Sequence, residues 1–191
     1  MDAITLLHSR NSAPKLCDPA PQGEVLDNML KAALRAPDHA WLRPWRFLTI
    51  TGQARERLGE LFVNAAQQRR QEANEAVMTE QECAKLAAKA LRAPLIIAVV
   101  ASIQSHPKVP AIEQIISAGC AAHAILLAAH ASGFAGVWRT GDNAYDPLVK
   151  EGLGLSAAEE LVGFLYLGTI DGSYKPLREL SVQDFCRPWG A

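Results

Sequence analysis

The sequence predicts an α+β fold in which a mixed β-sheet is packed between helices. Three observations carry that expectation. Helical and extended patterns alternate along the chain. Two runs, APLIIAVVA (93–101) and ELVGFLYLG (160–168), are continuously apolar over the length of a strand. The stretch from Ala118 to Val137 carries no formal charge. A continuously apolar strand needs cover on both faces, and an uncharged helix needs cover all round.

The elements follow in order. Residues 2–9 read as a short helix ending near Arg10. Residues 11–22 hold Pro14, Pro19 and Pro21 and read as an irregular loop. A helix begins near Gly23, with Val25, Leu26, Met29, Leu30, Ala33 and Leu34 at helical spacing, and Pro37 ends it. PDHAWLRPW is too rich in proline and aromatic residues for a regular element. RFLTIT (46–51) is a strand closed by Gly52. From Gln53 to Arg92 the pattern is polar and helical, with a break near Val77–Thr79. The strand at 93–101 leads through Pro107 and Pro110 to the uncharged helix at 111–131. FAGVW (134–138) is a short strand, Pro147 starts a small helix, and 160–168 is the second buried strand. The tail, 169–191, shows no clear period. With no repeat and no glycine- or serine-rich linker, residues 1–191 read as a single domain.

Composition narrows the function classes. Hydrophobic residues make up 49% and charged residues 20%, and 19 basic side chains stand against 20 acidic ones for a net charge of −1. A nucleic-acid partner is therefore not expected, because such binders carry a basic excess. No membrane partner is expected either, because the uncharged stretch is mostly Ala, Gly, His, Cys and Ser. Cys17, Cys83, Cys120 and Cys186 form no C-x-x-C pair, which argues against a zinc site or a disulfide framework. Reduced thiols and an N-terminus without a basic, then apolar, leader point to a cytoplasmic protein.

Three clusters carry polar chemistry. Arg10-Asn11-Ser12 combines a guanidinium fork with a hydroxyl, a pattern that suits phosphate oxygens and equally suits a solvated turn. Arg35-Ala36-Pro37-Asp38-His39 runs on to Pro44-Trp45 on a proline-stiffened loop, where Asp38 and His39 read either as a tuned pair or as an Asx turn beside an exposed imidazole. Gly133 to Gly141 places Trp138-Arg139-Thr140 among glycines, which suits a planar, electron-poor ring or simply a strand with a buried indole. His123 and His130 share a helix face without a third ligand, so no metal site is expected. Walker A, G-x-G-x-x-G, G-x-S-x-G and HExxH motifs are absent from the sequence, so any nucleotide-like cofactor must be held by side chains.

In order and separation, the blocks ITLLHSRNS, LDNMLKAALRAPDHAWLRPWRFLTITG, LRAPLIIAVVA, SAGCAAHAILLAAHASGFAGVWRTG and ELVGFLYLGT resemble the nitroreductase family, most closely its compact bacterial members. The resemblance implies an intertwined α+β homodimer with FMN at the subunit interface. It implies that Arg10, Asn11, Ser12, Arg35 and His39 meet the flavin from one subunit and Trp138, Arg139 and Thr140 from the other. It also implies an NAD(P)H-dependent oxidoreductase. A hydride would pass from NAD(P)H through flavin N5 to a small acceptor, nitroaromatic or quinone-like, with ping-pong kinetics and no catalytic residue. The segment from Ala128 to Gly133 matches one assigned to nicotinamide binding, and Lys175 or Arg178 corresponds loosely to residues that grip the FMN phosphate. Three positions depart from the family pattern: Asn11 replaces a second arginine, Arg43 a glutamine and Trp41 a small polar residue. Two alternatives stay open, oxygen-dependent flavin chemistry on the same fold and an FMN-binding module without catalysis.

Overall fold

The structure, a computed structural model, describes residues 1–190. The first helix, α1 (Ala3–Ser9), is capped by the Asp2 carboxylate, which accepts from the amides of Ile4 and Thr5. A two-residue strand, β1 (Leu16–Cys17), lies inside the segment expected to be an irregular loop. Prolines at 14 and 19 hide it locally, and it exists because Leu16 and Cys17 pair with Ile170 and Thr169 at the far end of the chain. Next come α2 (Gly23–Ala33) and a single 3-10 turn at His39–Trp41, followed by β2 (Trp45–Thr51).

The polar segment forms α3 (Gln53–Glu72) and α4 (Glu80–Ala87). The break falls where Thr79 and Glu82 form a reciprocal capping box, each satisfying the other's backbone N–H. A 3-10 turn at Ala88–Leu91 then feeds β3 (Leu95–Ser102). The uncharged stretch forms α5 (Ala111–Ala131), followed by β4 (Ala135–Arg139), α6 (Asp142–Tyr145), α7 (Pro147–Gly152) and β5 (Glu159–Ile170).

The sheet runs β1-β5-β3-β2, with β4 paired to the outer edge of β5. Every named ladder is antiparallel. The mixed character enters at one parallel bridge, Ser12 to Gly136. Residues 95, 97 and 99 of β3 face α2 and α5, whereas 96, 98 and 100 face α3 and α7. All of β3 from Leu95 to Ala101 is at most 0% exposed, so each Ile or Val there contributes roughly 1.5–3 kcal/mol of burial. A charge at Val99 would leave that ion without solvent or partner.

Register shifts once, between Val99 and Val100, where β5 carries an extra residue. That bulge lets Leu161 and Phe164 pack in the same cluster despite their odd separation.

Helix α5 is, among the described residues, the one helix long and apolar enough to cross a membrane. Its inner face, including Ser117, Ala118, Ala121, Ile125 and Ala129, is buried in the core. The expectation of cover on every side fails within one chain, because Ile112 and Ile116 are each 59% exposed.

Candidate functional site

Strand alternation puts neighbouring residues of β4 on opposite faces of the sheet. Val137 packs into the cluster beneath α3, and Arg139 stands over the Tyr166 ring of that cluster at 5.8 Å. Trp138 packs into the cluster beneath α5. Its indole N–H donates to the Val162 carbonyl at 3.3 Å. Gly163 makes the room: a Cβ built there would stand 2.3 Å from the indole nitrogen, and its φ of +150° suits glycine alone. Gly141, at φ +78°, then turns the chain away after Thr140.

Two recesses meet at Trp138. The first, a cavity of about 670 Å³, is bounded by Trp138, Arg139, Thr140 and Gly141 from the end of β4. Arg69 and Arg70 from α3, and Lys89 and Arg92 from the turn before β3, also line it. Arg70 is paired with Glu82 at 2.8 Å, and Arg69 is paired with the buried Asp146. Lys89, Arg92 and Arg139 have no ion-pair partner among the described residues, and the Nε of Arg139 is buried without a hydrogen bond. Burial pushes the Tyr166 phenol above its ordinary value, and the nearby Arg139 and Arg92 pull it back. An orphaned guanidinium N–H beside further cations fits a planar ligand with a carbonyl-rich or anionic edge.

The second recess, about 630 Å³, lies on the other side of Trp138. Arg35, Ala36 and Pro37 form one wall, and Ile116, Cys120 and His123 of α5 form the other. Arg35 and Trp138, expected to meet the cofactor from different subunits, share this recess within one chain.

The segment that holds Arg10 and Asn11 reaches β4 at Ser12. Ser12 bridges Gly136, and the Ala13 amide donates to the Gly136 carbonyl at 3.1 Å. Asn11 Nδ2 donates to the Lys175 carbonyl at 2.7 Å, so the tail passes beside this cluster. Arg178 is exposed on the same tail. His39 stands apart: its Nδ1 lies 2.8 Å from Glu113 Oε2 on an exposed rim. The residues from Ala128 to Gly133 end α5, where carbonyl oxygens rather than N–H groups are presented, an environment unfavourable to phosphate. His123 lines the second recess, whereas His130 meets Ser9 Oγ at 3.1 Å and the Tyr174 ring.

Of the residues lining the first recess, sequence reasoning singles out Trp138, Arg139 and Thr140 and passes over the cationic wall opposite them. Arg69, Arg70, Lys89 and Arg92 come from a polar helical stretch whose charges look like a solvated face, and only the packing of α3 against the turn before β3 gathers them. Tyr166 was hidden within a continuously apolar strand.

The fold, a five-stranded sheet packed between helices, recurs in known proteins. A structure described as a nitroreductase-like family protein from Bacillus cereus superposes with a TM-score of 0.82 at 23% identity, covering 100% of this chain and 97% of that one. The structure of an "FMN and NADPH-dependent nitroreductase NfnB mutant Y88A" from Sphigopyxis sp. strain HMH superposes with a TM-score of 0.77 at 18% identity, covering 100% of both chains. These likenesses establish the fold. In sequence, a "Putative NAD(P)H nitroreductase YdjA" of Escherichia coli (strain K12) is 45% identical over 169 residues, 88% of each chain. The model of the nitroreductase family matches residues 8–169. The chain belongs to the nitroreductase family.

Proposed function

We propose that this chain is an FMN-dependent oxidoreductase that takes electrons from NAD(P)H and delivers them to a small acceptor, working as a homodimer. The observation that carries the reading is the cavity beside Trp138, where Arg139 presents a buried, unpartnered N–H next to Lys89 and Arg92. Its volume lies within the range of small-molecule sites. The name of the Escherichia coli relative, "Putative NAD(P)H nitroreductase", and the description of the Sphigopyxis protein as FMN and NADPH-dependent support the same reading.

When bound, FMN supplies two-electron chemistry between a nicotinamide donor and an acceptor. The chain's residues bind and orient. Arg139, Lys89 and Arg92 offer positive charge and N–H donors to the carbonyl-rich edge of the ring, where electron density accumulates. Trp138 and Thr140 wall that cavity. Arg10, Asn11 and Ser12 are assigned to the phosphate end, with Lys175 brought near by the Asn11 contact. Arg35 and His39 are assigned to the cofactor from the same copy as Arg10, Asn11 and Ser12, the partner of the copy that supplies Trp138, Arg139 and Thr140. No residue needs to act as an acid or base.

Dimerisation is supported by the apolar stripe of Ile112 and Ile116 on α5, which lacks cover within one chain. The exposed Leu177, Leu180, Val182 and Phe185 of the tail give a second apolar surface for a partner copy. The reading takes residues 1–191 as one domain, since both core clusters share β3 and β5. A cytoplasmic location is supported by four free cysteines.

The test is direct. The purified protein should show the visible absorption of bound flavin and oxidise NADH or NADPH in the presence of a nitroaromatic or quinone. A colourless protein that takes up no added FMN overturns the reading.

A further inference from the structure

The loop between α2 and β2 holds its backbone tightly and its largest side chain out in the open. Ala40, Trp41 and Arg43 all have left-handed φ angles, of 59°, 58° and 49°. Conformations that L-residues avoid persist only where the surroundings over-determine them, and they concentrate at ligand clamps. The surroundings here do so. Asp38 Oδ2 accepts from the Arg43 amide at 2.9 Å, and Gln104 Nε2 donates to the Leu42 carbonyl at 2.6 Å. Gln104 is itself fixed at 2.9 Å by the buried Gln114 of α5, and Ser117 Oγ donates to the Pro37 carbonyl at 2.5 Å.

On this clamped loop the Trp41 side chain is 81% exposed. A hydrophobic ring of that size gains nothing from solvent, and nothing in the loop's own hydrogen bonding requires it. Arg43 lies over the indole at 5.6 Å, and neither Arg43 nor Arg35 has an ion-pair partner among the described residues. Together with Asp38 and Trp45 these residues enclose a recess of about 510 Å³. Asp38 is the one carboxylate lining it; one oxygen is engaged by the Arg43 amide and the other is enclosed. Two guanidiniums against one carboxylate leave a single positive charge in excess.

We propose that Trp41 and Arg43 form the recognition platform for the electron acceptor, and that the acceptor is a planar aromatic monoanion. The ring stacks on the open face of Trp41, and its carboxylate is taken by Arg43. This inference rests on the oxidoreductase reading above. Arg35, assigned above to the cofactor bound by the partner copy, lines this recess too, so on that reading a ring held on Trp41 adjoins the partner copy's cofactor.

The experiment compares 4-nitrobenzoate with neutral 4-nitrobenzyl alcohol as acceptors for the flavin-loaded protein, in the wild type and in Trp41→Ala, Trp41→Phe and Arg43→Gln. Flavin content is read from absorbance. Equilibrium dialysis of 4-nitrobenzoate against the oxidised protein, without donor, gives a readout independent of turnover. Trp41→Ala should raise KM for both acceptors about 10-fold, the size expected for one lost aromatic contact, and Trp41→Phe should restore most of it. Arg43→Gln should raise the ratio of KM for nitrobenzoate to KM for nitrobenzyl alcohol by about 10-fold, as for a lost charge-assisted hydrogen bond. Dialysis should show the same order of affinities.

An unchanged KM ratio in Arg43→Gln overturns the proposal. So does loss of bound FMN in these variants, which would assign the loop to the cofactor instead. A wild-type protein without flavin fails at the underlying reading, and that failure is visible in the absorbance before any KM is measured.

Discussion

On one side of Trp138 the cavity walls carry five cations against a single carboxylate, Asp142. On the other side the walls are largely apolar, with Arg35, Cys120 and His123 as the charged or titratable groups. The first recess draws α3, the turn before β3, β4 and β5 together within one chain. The second is half a site, a groove between α2 and the open stripe of α5. One indole therefore separates a cationic recess from a largely apolar one, and on the proposed reading ligand binding and assembly are coupled through it.

The sharpest way to break that comparison is Gly163→Ala. The new methyl would meet the indole nitrogen and the Arg139 carbonyl, at 2.3 and 2.9 Å, in a backbone conformation that alanine resists. Stability should fall by about 3 kcal/mol in denaturant unfolding, and bound flavin should be lost along with the displaced Trp138. Unfolding at wild-type denaturant with full flavin content would show that the wall between the recesses does not depend on this glycine.

The next two variants address one side each. Ile116→Arg puts a charge on the exposed stripe of α5 and, by symmetry, appears twice in a two-fold contact. It should weaken self-association roughly 100-fold in sedimentation, because like charges face each other across the seam. Retained dimer mass would remove α5 from the interface. Arg139→Ala acts on the cationic side and should weaken FMN about 30-fold in a fluorescence titration, the loss expected for one charge-assisted hydrogen bond. Equal affinity in variant and wild type would move the ring elsewhere.

The smallest effect is expected outside both recesses. Arg46 grips Glu159 through Nε at 2.5 Å and Nη2 at 2.9 Å, tying β2 to β5. The Arg46 guanidinium holds the Glu159 carboxyl well below its ordinary value of 4.5, against the opposing effect of burial; the Ser156 amide and the Ser102 hydroxyl assist. A depressed carboxylate stabilises the fold above its unfolded value and loses that contribution as pH falls toward its folded value. Arg46→Gln should therefore cost about 1 kcal/mol at pH 7 and visibly less at pH 3, while flavin content stays constant. A cost independent of pH would mean that packing, not charge, supplies the contribution of this pair.

Much of the scaffold was legible before any coordinates. The helix at 111–131 was read to its ends, and β3 and β5 announced themselves as continuous apolar runs because both of their faces are covered. The break expected near Val77–Thr79 falls inside the gap between α3, which ends at Glu72, and α4, which Thr79 caps. What stayed hidden depends on distant partners. β1 pairs with residues more than 150 positions away, and two residues between prolines carry no pattern of their own. The site divides in the same way. Trp138-Arg139-Thr140 stood out because glycines bracket them, whereas Lys89 and Arg92 acquire meaning only when folding turns them toward Tyr166. The clamped backbone beneath Trp41 was equally invisible, because its left-handed residues are not glycines.

The extra residue in β5 reaches further than a local irregularity. A regular strand spends its carbonyls on its neighbours, but the irregular turn at Val162 and Gly163 leaves one pointing at an indole and a gap where that indole fits. Strand length, together with the missing side chain at Gly163, therefore sets the partition. A chain one residue shorter at this point would keep its sheet in phase and lose the hook.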